Sequence, residues 1–223
     1  MRGTTLLETF FGKTAVAALF FLLTAAATGP VAAEGGDVAR GEQLFALCSQ
    51  CHGVNGGGNH DALAPAIAGL PEWYVLKQLQ MFRAGSRGLH PGDTGGLRMY
   101  PMSQWLRNED DVAAVSAYVA GMPPQRPANE MPEAGDAARG AGYYAVCTAC
   151  HGANGEGNPG MQAPPLTGMS DWYLTSAIQK YKAGVRGNGP GDALGAAMIG
   201  MVATLPDDQA IRDVIAHIQS LDK

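Results

Sequence analysis

Apolar residues recur at helical spacing in three stretches of the first half of the chain. Residues 37–47 carry Val38, Leu44, Phe45 and Leu47; residues 73–84 carry Trp73, Leu76, Leu79 and Phe82; residues 110–119 carry Val112, Val115, Tyr118 and Val119. Apolar positions three and four apart fall on one helix face. Gly85 stops the second stretch, and Gly121 and Pro123 stop the third. The same order begins again at Asp136, Trp172 and about Asp207. The segments between are rich in glycine and proline and read as loops. The pattern predicts an all-α chain built from two sets of three helices.

The second set copies the first without a gap. Adding 99 takes Cys48 to Cys147, His52 to His151, Pro65 to Pro164, Trp73 to Trp172 and Tyr74 to Tyr173. The register continues through Arg87 and Arg186, Met99 and Met198, and Leu106 and Leu205. A repeat this long means two copies of one small domain, since solenoid units are shorter. The predicted domains are 34–122 and 135–223. Residues 123–134 hold several prolines and form an extended, semi-rigid linker.

The repeat carries the chemistry. Cys48-Ser49-Gln50-Cys51-His52 returns as Cys147-Thr148-Ala149-Cys150-His151. Cys-x-x-Cys-His is a c-type haem attachment pattern. Residues three apart share one face of a helical turn, so each thiol reaches one vinyl group of a porphyrin. The following histidine then stands over the iron. A zinc ribbon would bring its two cysteine pairs closer in sequence, roughly 15–20 residues apart; here 95 residues lie between Cys51 and Cys147. A thioredoxin-like redox motif would need a βαβ setting, and no strand pattern surrounds either pair. Two covalently bound haem c groups are therefore expected. They use all four cysteines, so no disulfide is expected.

Composition adds two points. Glycine is abundant, at 31 residues, and clusters after each haem motif. Loops there must pass close to a flat cofactor and take positive φ. The net charge of −5 excludes the basic footprint of a nucleic-acid binder. Residues 1–33 read as an export signal. Arg2 and Lys13 precede an apolar run through Phe20, Phe21, Leu22 and Leu23, and small residues follow at 29–33. The alternative is an uncleaved N-terminal anchor. Either way the remainder lies outside the cytoplasm, in the periplasm.

Each half resembles a class I cytochrome c, and the tandem is similar to the two-haem cytochrome c4 type. The features are a helix entering Cys-x-x-Cys-His, a Pro-x-[Leu/Ile]-x-Gly loop, a methionine and a last helix. The loops are Pro65-Ala66-Ile67-Ala68-Gly69 and Pro164-Pro165-Leu166-Thr167-Gly168. The resemblance implies three to five helices around each haem. It also implies that Pro65 and Pro164 offer their carbonyls to the haem-binding histidines. Gly41 and Phe45 would cross the last helix at Tyr118; Gly140 and Tyr144 would meet His217 instead.

Spacing alone leaves the sixth iron ligand open, because each half has a Met-x-x-Met pair: Met99 and Met102, then Met198 and Met201. The resemblance selects Met99 and Met198, seven residues before Leu106 and Leu205. Met102 and Met201 would then fill core space, and Met81, Met161 and Met169 would pack. Arg87 and Arg186, with Tyr74 and Tyr173, suit haem propionates. His60 and His90 read as surface loop residues.

Two His/Met haems imply electron transfer, with no open coordination site. By resemblance, the partners would be a quinol-oxidising cytochrome complex and a haem–copper terminal oxidase. The rivals are a two-haem redox enzyme, either a peroxidase or a sulfur-compound dehydrogenase, and a fixed cytochrome subunit of a membrane complex.

Overall fold

The computed structural model describes residues 37–221. The proposed export signal lies outside them. Nine α-helices appear among the described residues: α1 Val38–His52, α2 Glu72–Arg83, α3 Thr94–Gln104, α4 Glu109–Gly121, α5 Ala137–Tyr144, α6 Thr148–His151, α7 Asp171–Lys182, α8 Ala193–Val202 and α9 Asp208–Ser220. Extended pairing among them is limited to two isolated bridges, Asn59 with Ala64 and Asn158 with Ala163. No described helix is long and apolar enough to cross a membrane.

Helix starts follow side-chain capping. Asp37, Asn108, Asp136 and Asp207 each accept a backbone N–H from the first turn of α1, α4, α5 and α9. Glu109, Asp110 and Asp111 add negative charge at the start of α4, where the helix dipole favours it. Three helices per half was an underestimate. α3 was missed because Thr94-Gly95-Gly96 and an internal Pro101 argue against a helix. It forms nonetheless, with Asp93 accepting from the Gly96 N–H. Its counterpart α8 is capped by Asp192 in the same way. The second haem motif also differs from the first. α1 runs unbroken through His52, whereas its counterpart is split between α5 and α6.

In each half the first helix crosses the last at a glycine. A Cβ on Gly41 would lie 2.1 Å from the Ala114 carbonyl oxygen, and one on Gly140 would lie 1.9 Å from that of Asp213. Phe45 packs on Tyr118 with ring centroids 5.4 Å apart. His217 fills the equivalent place and packs on Tyr144 at 5.2 Å. Each crossing is clasped by an arginine. Arg40 pairs with Asp111 at 3.0 Å, and Arg139 with Asp213 at 2.8 Å. The two arginines are repeat partners; the two aspartates are not, being one helical turn apart in the repeat register.

The first core holds Leu44, Phe45, Leu106, Val112, Val115 and Val119. The second holds Tyr144, Leu174, Leu205, Ile211, Val214 and Ile218, and it also takes in Tyr74 from the first half. The halves are joined further by Ser86, whose hydroxyl donates to the Pro190 carbonyl at 2.6 Å.

Candidate functional site

Both haem-motif histidines end their helix, and the next residue turns the chain. Gly53 and Gly152 take φ of +78° and +82°, which glycine adopts without steric cost. The loop then doubles back: the Gly58 N–H donates to the His52 carbonyl, and the Ile67 N–H to that of Gly56. This brings a proline carbonyl to each imidazole. Nδ1 of His52 lies 2.8 Å from the Pro65 oxygen, and Nδ1 of His151 lies 2.8 Å from the Pro164 oxygen. Nδ1–H donating to that carbonyl leaves Nε2 as the free lone pair. Burial pushes both imidazoles below their ordinary pKa, against the opposing effect of the proline bond, and so favours the neutral, metal-binding form. Burial also pushes the Cys48 thiol up to about 11.

Two cavities border His52. One, of about 90 Å³, is lined by Cys48, Cys51, His52, Met99, Met102 and Leu106 among others. The larger, of about 370 Å³, includes His52 and Met99 and extends to residues of the second half. Met99 and Met198 are half-buried. Met102 and Met201 are 44% and 43% exposed and so do not fill the core as expected. Met102 nonetheless borders the smaller cavity, and the buried residues of the two helices are Gly96 and Ser103 in α3 and Gly195 and Val202 in α8. Met161 is likewise exposed, while Met169 packs as expected.

Tyr74, Tyr173, Arg87 and Arg186 converge where the two halves meet. Arg87 donates to the Tyr173 hydroxyl at 3.3 Å and to the Gln78 amide oxygen. Its guanidinium lies over the Phe82 ring, and that of Arg186 over the Tyr181 ring. Burial would raise the Tyr173 hydroxyl, but the Arg87 and Arg186 charges outweigh it and draw its pKa down to about 7. Tyr74 is moved the other way, upward, chiefly by burial. The Arg87 Nε is buried without an acceptor, and a propionate carboxylate is an acceptor of the right kind. Together with the free Nε2 of His52 and the flanking cysteines, this donor set fits a haem.

Two features escaped the sequence. His60 lies in a surface turn as expected, with its side chain 41% exposed, but it has partners: it stacks on Trp172 with centroids 4.6 Å apart and pairs with Glu130 at 2.9 Å. Its repeat partner is a proline, which was the one available signal. Lys180, from α7, pairs with Asp93 of the first half at 2.7 Å. His90 is exposed and accepts a bond from the Gly92 N–H.

The family profile described as cytochrome c matches residues 38–123 and again 137–222. The chain belongs to the cytochrome c family. It is 32% identical over 208 residues to a cytochrome c4 of Azotobacter vinelandii, a match covering 90% of this chain and 96% of that one. It is 34% identical over 182 residues to a thiosulfate dehydrogenase electron acceptor of Stutzerimonas stutzeri (strain A1501), covering 77% and 78%. A crystal structure of reduced recombinant cytochrome c4 from Pseudomonas stutzeri superposes with a TM-score of 0.64 at 30% identity, covering 82% of this chain and 98% of that one. The tandem of two cytochrome c domains, each with an intact Cys-x-x-Cys-His, is of the cytochrome c4 type and carries two covalent haem c groups. It is a two-haem electron-transfer cytochrome.

Proposed function

We propose that this cytochrome is a periplasmic electron carrier with two His/Met haems, and that it is not an enzyme. The haem iron supplies a one-electron couple; the chain supplies its ligands and its surroundings. His52 and His151 bind the two irons, each oriented by the carbonyl of Pro65 or Pro164. Met99 and Met198 would supply the second protein ligand to each. Methionine ligation raises the potential, which suits passage of electrons from a quinol-oxidising cytochrome complex to a haem–copper oxidase through small, short-lived interfaces. Arg87, Arg186, Tyr74 and Tyr173 would bond the propionates where the halves meet. The functional units are residues 34–122 and 135–223, joined by 123–134, with 1–33 directing export.

The observation that carries this reading is the doubled histidine geometry. Both halves hold the imidazole to a proline carbonyl at the same 2.8 Å, and both offer a half-buried methionine at the same repeat position. A two-haem peroxidase or dehydrogenase needs one haem with an exchangeable ligand, and the halves would then differ at the ligand position. The similarity to a thiosulfate dehydrogenase electron acceptor favours a second reading of the same carrier, in which its donor is an enzyme that oxidises a sulfur compound.

The test uses the reduced holoprotein and its methionine variants. Met99→Ala is expected to remove the far-red methionine–iron absorption of one haem and open that haem to carbon monoxide, and Met198→Ala to do so at the other. Met102→Ala and Met201→Ala should do neither. Ready carbon monoxide binding by the unaltered protein, with turnover of peroxide or a sulfur substrate, would overturn the carrier reading.

A further inference from the structure

The repeat predicts two equivalent haem sites, yet among the described residues one charged contact between the halves has no counterpart. The Lys180 ammonium lies 2.7 Å from Asp93 Oδ1. Asp93 is 1% exposed, and its Oδ2 is buried without a hydrogen-bond partner. Lys180 is about a quarter exposed. Both residues line the 370 Å³ cavity that also holds His52, Met99 and Arg87. The repeat register maps Asp93 to Asp192 but Lys180 to Met81. The second half's aspartate therefore has the same capping role, on Gly195, without a lysine placed to pair with it from the other half.

We infer that Lys180, delivered by the second half, sets the potential of the first haem by neutralising Asp93, and so makes the two haems inequivalent. The inference rests on the two-haem carrier reading. A lone carboxylate beside a haem stabilises the ferric form and lowers the potential. Inside a protein such a charge is weakly screened, so its neutralisation is felt at the iron. Burial opposes ionisation of Asp93, but the Lys180 ammonium and the Gly96 N–H outweigh it and hold the carboxyl below its ordinary pKa. The pair thus stands as two opposite charges, and removing either one leaves the other facing the first haem. Lys180 is a positioning residue in this sense: it touches Asp93 and acts on the haem through charge.

The experiment is a spectroelectrochemical titration of the full-length holoprotein that resolves both haems, the first being identified by Met99→Ala. Lys180→Met installs what the repeat carries at Met81. It is expected to lower the first haem's potential by the equivalent of about a tenfold shift in electron partition between the haems, 59 mV for one electron. Asp93→Asn retains an N-cap residue and should raise the same potential. The double variant should return it towards the starting value, and Lys180→Arg should leave it unchanged. The second haem should hold its potential in all four. Shifts of the same sign in Lys180→Met and Asp93→Asn, equal shifts at both haems, or no shift at either would each overturn the inference. A starting protein with one high-spin, carbon-monoxide-binding haem would instead overturn the carrier reading.

Discussion

Gly140 and Gly142 lie two residues apart in α5, yet alanine should act on them in opposite directions. A Cβ at position 140 would meet the Asp213 carbonyl oxygen at 1.9 Å, its carbon at 2.5 Å and the His217 Cβ at 2.9 Å. Ordinary contact between carbon atoms is about 3.5–4 Å, so α9 would have to retreat by more than about 1 Å. The Asp213 carbonyl is backbone inside a helix and cannot swing aside. Retreat loosens Tyr144 from His217, strips contact from Ile211 and Val214, and stretches the bonds from Arg139 to Asp213. Overpacking of this kind costs about 1–3 kcal/mol or more. The better helix propensity of alanine offsets about 0.5–1 kcal/mol of it. A net loss of about 2 kcal/mol lowers Tm by about 4–8 °C for a chain of this size. At Gly142 nothing lies within 4 Å of the added carbon. Only the propensity gain of about 0.5–1 kcal/mol remains, a rise in Tm of about 1–4 °C. Thermal unfolding of the two holoproteins, followed by far-ultraviolet circular dichroism, decides the matter. If Gly140→Ala is as stable as the unaltered protein, or Gly142→Ala falls as far as Gly140→Ala, the tight crossing of α5 and α9 is wrong.

Two further outcomes follow from the same geometry. Gly58 has φ of +86°, and a Cβ there would sit 2.5 Å from the Ala66 nitrogen and 2.7 Å from the Pro65 carbonyl carbon. Gly58→Ala should therefore cost about 1 kcal/mol or more, displace the carbonyl that orients His52, and alter the potential of the first haem alone; a redox titration with both haems unchanged would refute this. Asp213 is held at a pKa of about 2, below the ordinary 3.8, chiefly by its hydrogen bonds from Arg139. A depressed carboxyl contributes stability that is complete above about pH 4 and is lost as pH falls towards 2. Asp213→Asn should lose stability at neutral pH and flatten the acid limb of the unfolding profile in that window; an unchanged acid limb would contradict the pairing.

The attachment motifs and the doubled architecture were legible because each rests on a local rule: fixed spacing and an unbroken offset. The same holds for the helix crossings, where a small residue stands one turn before an aromatic one. Local rules failed at α3, whose glycines and Pro101 oppose a helix that capping and packing impose. They failed at Met102 and Met201, because spacing cannot say how deeply a helix position is buried. Three contacts between the halves were beyond them altogether. Lys180 with Asp93, Arg87 with Tyr173, and His60 with Trp172 join residues 87, 86 and 112 positions apart. A repeat read from sequence treats its copies as equal. Only the way the two copies face each other decides which side chain of one enters the site of the other, and there a single lysine, absent from the repeat pattern, makes the first site unlike the second.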